Sequence, residues 1–240
     1  MKYSMKNFFF IVLAVLLPGL AGAQFTESGR IEYERKSNLH RQMEGNEWFD
    51  KMKAMVPKFM SSYHNLVFVP GKEAEGADKM KMFGGTPAAE NRVYTDIAAK
   101  RVTASKPAFE EKFLVQDSMR RMRWKISDEV RTIAGYKCRK AVSIMCDSVY
   151  VVAFYAEDIP VSGGPEMFGN LPGMILELAI PRLYTTYIAT KVEIATPKPE
   201  EFIIPDKGKK VTQAEMTKTI ASSTKQWGEF AARSVWWSAL

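Results

Sequence analysis

Three carboxylates, Asp158, Glu166 and Glu177, fall within one stretch of 20 residues that is also rich in glycine and proline. Two carboxyl groups brought into one cleft can divide general-acid and general-base work. A carboxylate-dependent hydrolase is therefore one chemistry this chain could run, provided the fold makes the cleft. The other reactive types are sparse. Cys138 and Cys146 have seven residues between them, enough for a hairpin-sized loop, and a disulfide would form only if the register brought their Cα atoms within about 7 Å. His40 and His64 stand far from both cysteines in sequence and form no ligand-spaced pair, so no metal site is expected. No glycine-rich loop leads into a lysine and a hydroxyl, and no nucleophile elbow is present. No cofactor is expected, and no residue is assigned a catalytic role.

The carboxylate-bearing stretch reads first as shaped backbone. Pro160 ends the strand before it, because proline lacks the donor a central ladder needs. Gly163, Gly164 and Gly169 free the chain and Pro165 restrains it. Pro172-Gly173 suits the central positions of a type II turn, with proline at φ near −65° and glycine at positive φ. From Met174 to Ile180 a strand is predicted, with Met174, Leu176, Leu178 and Ile180 on one face and Ile175, Glu177 and Ala179 on the other. Tyr155, Pro160, Gly163, Gly164, Pro165, Leu171, Pro172, Gly173 and Glu177 are the candidates either for shaping this loop or for rimming a ligand site.

The elements around this stretch are mostly strands. Gly29 to Lys36 alternates Ile31, Tyr33 and Arg35 against Arg30, Glu32 and Glu34. Residues 47–62 place Trp48, Met52, Met55, Val56 and Phe59 at helical spacing, with Pro57 near a boundary, and predict a short amphipathic helix. Leu66 to Val69 is a strand candidate, and residues 71–90 read as a long surface loop. Short strands are predicted over Arg92–Asp96, Arg101–Ser105, Phe109–Val115 and Met122–Ile126. Two stronger ones, Gly135–Ile144 and Val149–Tyr155, form an antiparallel hairpin. Arg182 to Ile194 alternates again. Thr212 with Glu215 three residues on is a capping box, opening a helix whose stripe takes in Met216, Ile220, Trp227 and Phe230. Trp236-Trp237 beyond it either packs inward or meets a partner. The fold class is mainly β (α+β): a curved antiparallel sheet, as in an open half-barrel, with one or two packed helices. Many short strands without alternating long helices argue against a doubly wound α/β fold.

The N-terminus carries an address. Lys2 and Lys6 precede an apolar run from Phe8 to Leu20, and Ala21-Gly22-Ala23 supplies small residues for a signal peptidase. Residues 1–23 are predicted to be a signal peptide and 24–240 a single β-rich domain. The run is too short for a membrane span, and nothing after it is long and apolar enough. A net charge of +7 over 240 residues is mildly basic. Basic clusters stand at 120–125 and 207–210, but export and the acids interspersed along the chain argue against nucleic acid as a partner.

Asn170-Leu171-Pro172-Gly173-Met174-Ile175, extended by Leu176-Glu177-Leu178, resembles the name-giving motif of the GLPGLI family of exported proteins from Bacteroides-related bacteria. Asn170 stands where that family usually has glycine, and Met174 where it has leucine. Ile133 to Ala141 looks like the family's upstream strand, Ala153 to Pro160 like its aromatic strand end, and Ser162-Gly163-Gly164-Pro165 leads to the motif at the expected distance. The resemblance implies a β-rich fold and a periplasmic or envelope location, and it brings no activity. The leading expectation is an exported, non-enzymatic protein that binds or carries a hydrophobic ligand or an envelope protein. The alternative is a carboxylate-dependent envelope hydrolase.

Overall fold

The computed structural model describes residues 25–45, 47–78 and 87–240; the predicted signal peptide lies outside them. In chain order the elements are β1 (Gly29–Asn38), α1 (Leu39–Gln42), α2 (Glu47–Met52), β2 (Phe59–Val69), β3 (Lys72–Asp78), β4 (Arg92–Asp96), β5 (Arg101–Ala108) and β6 (Glu111–Ser118). There follow β7 (Lys125–Ile133), β8 (Tyr136–Met145), β9 (Val149–Ala156), β10 (Met174–Ile180), β11 (Thr185–Ile194), β12 (Lys209–Val211), α3 (Gln213–Ser223) and α4 (Glu229–Ser238). The described strands make one 12-stranded sheet in the order β12-β6-β5-β4-β3-β2-β1-β11-β10-β9-β8-β7. Every pairing is antiparallel except β12 with β6. β12 and β7 do not pair with each other, so the sheet is open, as the fold class expected. Among the described residues no helix is long and apolar enough to cross a membrane.

Alternation built most of it. In β1, Ile31, Tyr33 and Arg35 are buried while Glu32 and Lys36 are exposed. The β8–β9 hairpin forms in register from Cys138↔Ala156 to Met145↔Val149, around a turn in which Cys146 and Asp147 take φ of 47° and 62°. That turn disposes of the candidate disulfide. Cys138 is near the start of β8 and Cys146 just past its end, so at roughly 3.3 Å per residue their Cα atoms stand ~26 Å apart. Both are free, one buried and one exposed.

Other expectations change. The helix predicted over 47–62 stops at Met52, and a short 3-10 turn, Lys53–Met55, follows. Beyond Pro57 the chain enters β2, where Phe59, Ser61 and Tyr63 are exposed and alternate with more buried neighbours. The predicted loop over 71–90 begins instead as β3, paired with β2 and β4; residues 79–86 lie outside the described residues. β3 carries Glu73, Glu75 and Gly76 where an apolar alternation would have announced a strand.

At the other end, Thr212 caps α3: its Oγ1 accepts the Glu215 amide at 3.2 Å, and the Glu215 carboxylate accepts the Thr212 amide at 2.7 Å. The predicted single helix is two, separated by a turn at Gly228 with φ 56°. Met216 and Ile220 are buried against Val93, Val102, Ala104, Phe113 and Val115. Trp237 belongs to the main core and Trp236 packs against it, so the inward alternative is the one realised for this pair.

Candidate functional site

The loop between β9 and β10 does not stand at a rim. Ile159, Val161, Phe168 and Leu171 are buried in the main core, and β3 holds the loop by its backbone. Glu73 Oε2 accepts the Gly164 amide at 3.1 Å, and Glu75 Oε2 accepts the Glu166 amide. Across the ladder, Glu75 lies in one row with Ile31, Leu66 and Val93, and Glu73 in one with Phe68 and Thr95. Two carboxyls have thus been placed on the apolar side of a strand so that loop amides have acceptors there.

The glycines make this approach feasible. A Cβ on Gly163 would run into the Glu73 carboxyl, with Cδ at 2.7 Å, and one on Gly164 would sit 2.7 Å from Ile175 Cβ. Gly173 is a correction to the turn assignment. It does not take the positive φ of a type II turn; it is needed because a Cβ there would overlap the Ala156 carbonyl of β9, whose carbon would lie 2.7 Å away. The left-handed positions are Glu166 and Asn170, at φ 58° and 66°. Asparagine is the non-glycine residue best suited to that region, so Asn170 keeps the backbone that a glycine would give. The β10 alternation is also broken. Ile175 opposes Tyr155 and Glu177 opposes Phe154, with a register shift between them, which puts Ile175 against Gly164 and its carbonyl under the Tyr33 hydroxyl at 2.6 Å.

The predicted carboxylates go separate ways. Glu166, 1% exposed, accepts from Asn91 Nδ2 at 2.8 Å and from the Tyr187 hydroxyl at 2.6 Å. Glu177 accepts from Arg131 Nη1 at 3.0 and 2.9 Å, and the same guanidinium lies 3.6 Å from the Phe154 ring centroid. Asp158 lies in an outer cleft of about 280 Å³ with Asp128, Glu157, Lys137 and Arg139. There Arg139 reaches Glu157 at 3.2 Å and Asp128 at 3.7 Å. Tyr155, though buried, donates to Glu157 Oε1 at 3.1 Å beside this cleft. Pro160 and Pro172 are exposed; Gly163, Gly164, Pro165, Leu171 and Gly173 are buried.

Sequence reasoning missed the more populated polar set on the inner side. Arg35, 1% exposed, donates to the Pro87 carbonyl and lies between aromatic rings, 5.6 Å from Tyr187 and 5.2 Å from Trp237. His64 Nδ1 is 3.4 Å from Glu75 Oε1. Burial first, and then the Glu75 charge, pushes the Glu73 carboxyl up to about 8. Burial also raises Glu75, against His64, which lowers it. The glutamates, Arg35 and His64 share the inner face with apolar neighbours; the β1 alternation sets Arg35 beside Ile31 and Tyr33, and the two-residue spacing of Glu73 and Glu75 is the further hint.

Next to this seam opens a cleft of about 440 Å³ between the end of β5, residues 87–91 and the two C-terminal helices. Ala88, Pro107, Phe109, Met216, Ile220 and Trp237 give it apolar walls. Lys106 lies at its inner end and donates to Gln213 Oε1, Ser238 O and Leu240 O at 3.0, 3.2 and 2.9 Å. Burial brings its ammonium down to about 7.

A sequence model of the family described as N-glycanase peptide, N-terminal domain, matches residues 90–217, more than half of the chain. Two solved structures of PNGF-II resemble the fold. One, in space group C2, is 15% identical with a TM-score of 0.52 and covers 88% of this chain and 33% of its own. The other, in space group P21, is 16% identical with a TM-score of 0.53 and covers 77% and 32%. The chain thus spans about a third of the length of those proteins. No curated protein matches it.

Proposed function

Because the chain belongs to the family of N-glycanase peptide N-terminal domains, we propose that it is an exported, non-enzymatic binding module of the envelope. Its site is the cleft between β5, residues 87–91 and the α3–α4 pair, and its ligand is a hydrophobic molecule or an apolar segment of an envelope protein. One observation carries this reading: an opening of about 440 Å³ with mainly apolar walls, within the roughly 300–1,000 Å³ of ligand pockets. The methionine and aromatic side chains that line it are adaptable contact surface. The family description names an N-terminal domain, so the deglycosylating activity implied by the word N-glycanase is not carried over to this chain.

The 170–175 motif supports assigning the chain also to the GLPGLI family, since Asn170 holds a left-handed backbone where that family has glycine. A periplasmic or envelope location accords with that assignment and with the signal-like first 23 residues.

The second reading, a carboxylate-dependent envelope hydrolase, rests on the outer cleft with Asp128, Glu157 and Asp158. Arg139 engages two of those three groups, leaving less free carboxylate for proton transfer. Glu166 and Glu73 are enclosed by the loop, away from any substrate.

Ser234 lines the apolar cleft from α4, and its hydroxyl only returns to the Phe230 carbonyl of its own helix. Ser234→Trp should therefore fill the cleft at little cost to the helix. In a titration with an uncharged fluorescent hydrophobic probe, the parent protein is expected to bind saturably and the variant at least about tenfold more weakly, a loss of roughly 1.4 kcal/mol. Equal binding by both proteins would refute the cleft as the site.

A further inference from the structure

Behind the buried loop lies a second and much smaller space. A void of about 10 Å³ is lined by Glu73, Thr95, Val102, Met119, Arg120, Met167 and Phe168. Two of these residues bring buried polar atoms to it: Arg120 Nη1, which meets no hydrogen-bond partner, and Thr95 Oγ1, which lies beside the Glu73 carboxyl and helps to keep it charged. Thr95 is 3% exposed and Glu73 4%. The Arg120 guanidinium is fixed from its other side, where Nη2 donates to the Ala239 carbonyl and the Phe168 ring centroid lies 5.7 Å from its Cζ.

We infer that this void is a binding site for one water molecule, which joins Arg120, Thr95 and Glu73 and completes the polar seam under the β9–β10 loop. A buried guanidinium N–H left without an acceptor is costly, and one occupant relieves it. The occupant is chosen by size and by partners. A void that holds a water needs roughly 10–15 Å³ and two to four polar partners; this space, at about 10 Å³, is at the lower limit and offers three. Water accepts from the guanidinium and exchanges hydrogen bonds with the hydroxyl and the carboxyl. A halide would suit the guanidinium alone and needs more room than one water. Met167 and Phe168 of the loop form one wall of the space, so an occupant there joins the loop to β3, β4 and the segment that carries Arg120.

The site is independent of the apolar cleft, and its test leaves that reading untouched. Thr95→Val removes the hydroxyl at nearly constant shape, and Thr95→Ser restores it. The parent and the serine variant should each show one ordered water in a high-resolution crystal structure, within hydrogen-bond distance of Arg120 Nη1. The valine variant should lose that water. An empty void in the parent, a halide in place of water, or an equally occupied water in Thr95→Val would each overturn the assignment.

Discussion

Gly173→Ala is expected to lower the melting temperature by roughly 10 °C or more, the fall that follows from losing ~3–5 kcal/mol in a chain of this size. The reason is geometric. The new methyl would lie on the Ala156 carbonyl, with the carbonyl carbon at 2.7 Å and Glu157 Cα at 3.1 Å. Neither neighbour is the free end of a side chain, so relief requires β9 and β10 to part where Met174 pairs with Ala156. That pairing lies within the main core, next to Ile159, Leu171 and Ile175. Pro172→Ala is the contrast: Pro172 is exposed, and losing its restraint on the unfolded chain costs about 1 kcal/mol or less. Thermal melts of the two variants decide whether the motif's glycine serves a close backbone approach or the turn first expected there. Equal, small shifts would contradict the close-approach account.

Glu73→Gln is expected to change the pH profile of stability by a few kcal/mol, at about 1.4 kcal/mol per unit of displaced pKa. The carboxyl titrates at about 8 in the folded protein, against an ordinary value of 4.5. Between those values the folded chain holds a proton that the unfolded chain has released, so this group's contribution falls as pH rises. It is fully present below pH 4.5 and lost once pH passes about 8. Glutamine keeps an oxygen for the Gly164 amide and has no charge to bury. The variant should match the parent near pH 4.5 and exceed it increasingly up to about pH 8, above which the difference levels off. Lys106 is shifted in the opposite direction in both proteins, so the readout is the difference between variant and parent in urea unfolding, which takes in Glu73 together with its charge interaction with Glu75. A parent that loses no stability relative to the variant between pH 5 and 8 would show that Glu73 is charged in the fold.

Much of the scaffold could be read from its sequence because local pattern and final burial agree. β1, the β8–β9 hairpin and the Thr212 capping box needed only alternation or a cap at the right spacing. The failures have physical causes. Phe59 was counted into a helix because Met55, Val56 and Phe59 share helical spacing, while the decisive signal was the period of two that starts after Pro57. β3 was hidden because burial of Glu73 and Glu75 runs against composition: their partners are amides of a loop 91 residues away. Lys106 was hidden for the same reason, since its acceptors Ser238 and Leu240 lie at the far end of the chain. Of the predicted loop residues, the glycines proved the most informative, although Gly173 matters for closeness and not for positive φ. The carboxylates were grouped by nearness in sequence, and the sheet sends Glu166 inward, Glu177 to Arg131 and Asp158 to another cleft. Long-range polar pairing leaves no local periodicity behind it.

The central claim is that the apolar cleft holds a ligand. Mass spectrometry of what the protein retains after gentle purification from its native envelope tests it most directly, with Ser234→Trp prepared in parallel. The account predicts a hydrophobic molecule or peptide that accompanies the parent in reproducible, near-stoichiometric amount and is depleted from the variant. Repeated recovery of the parent without any lipid, peptide or polymer, or equal recovery with both proteins, would contradict it.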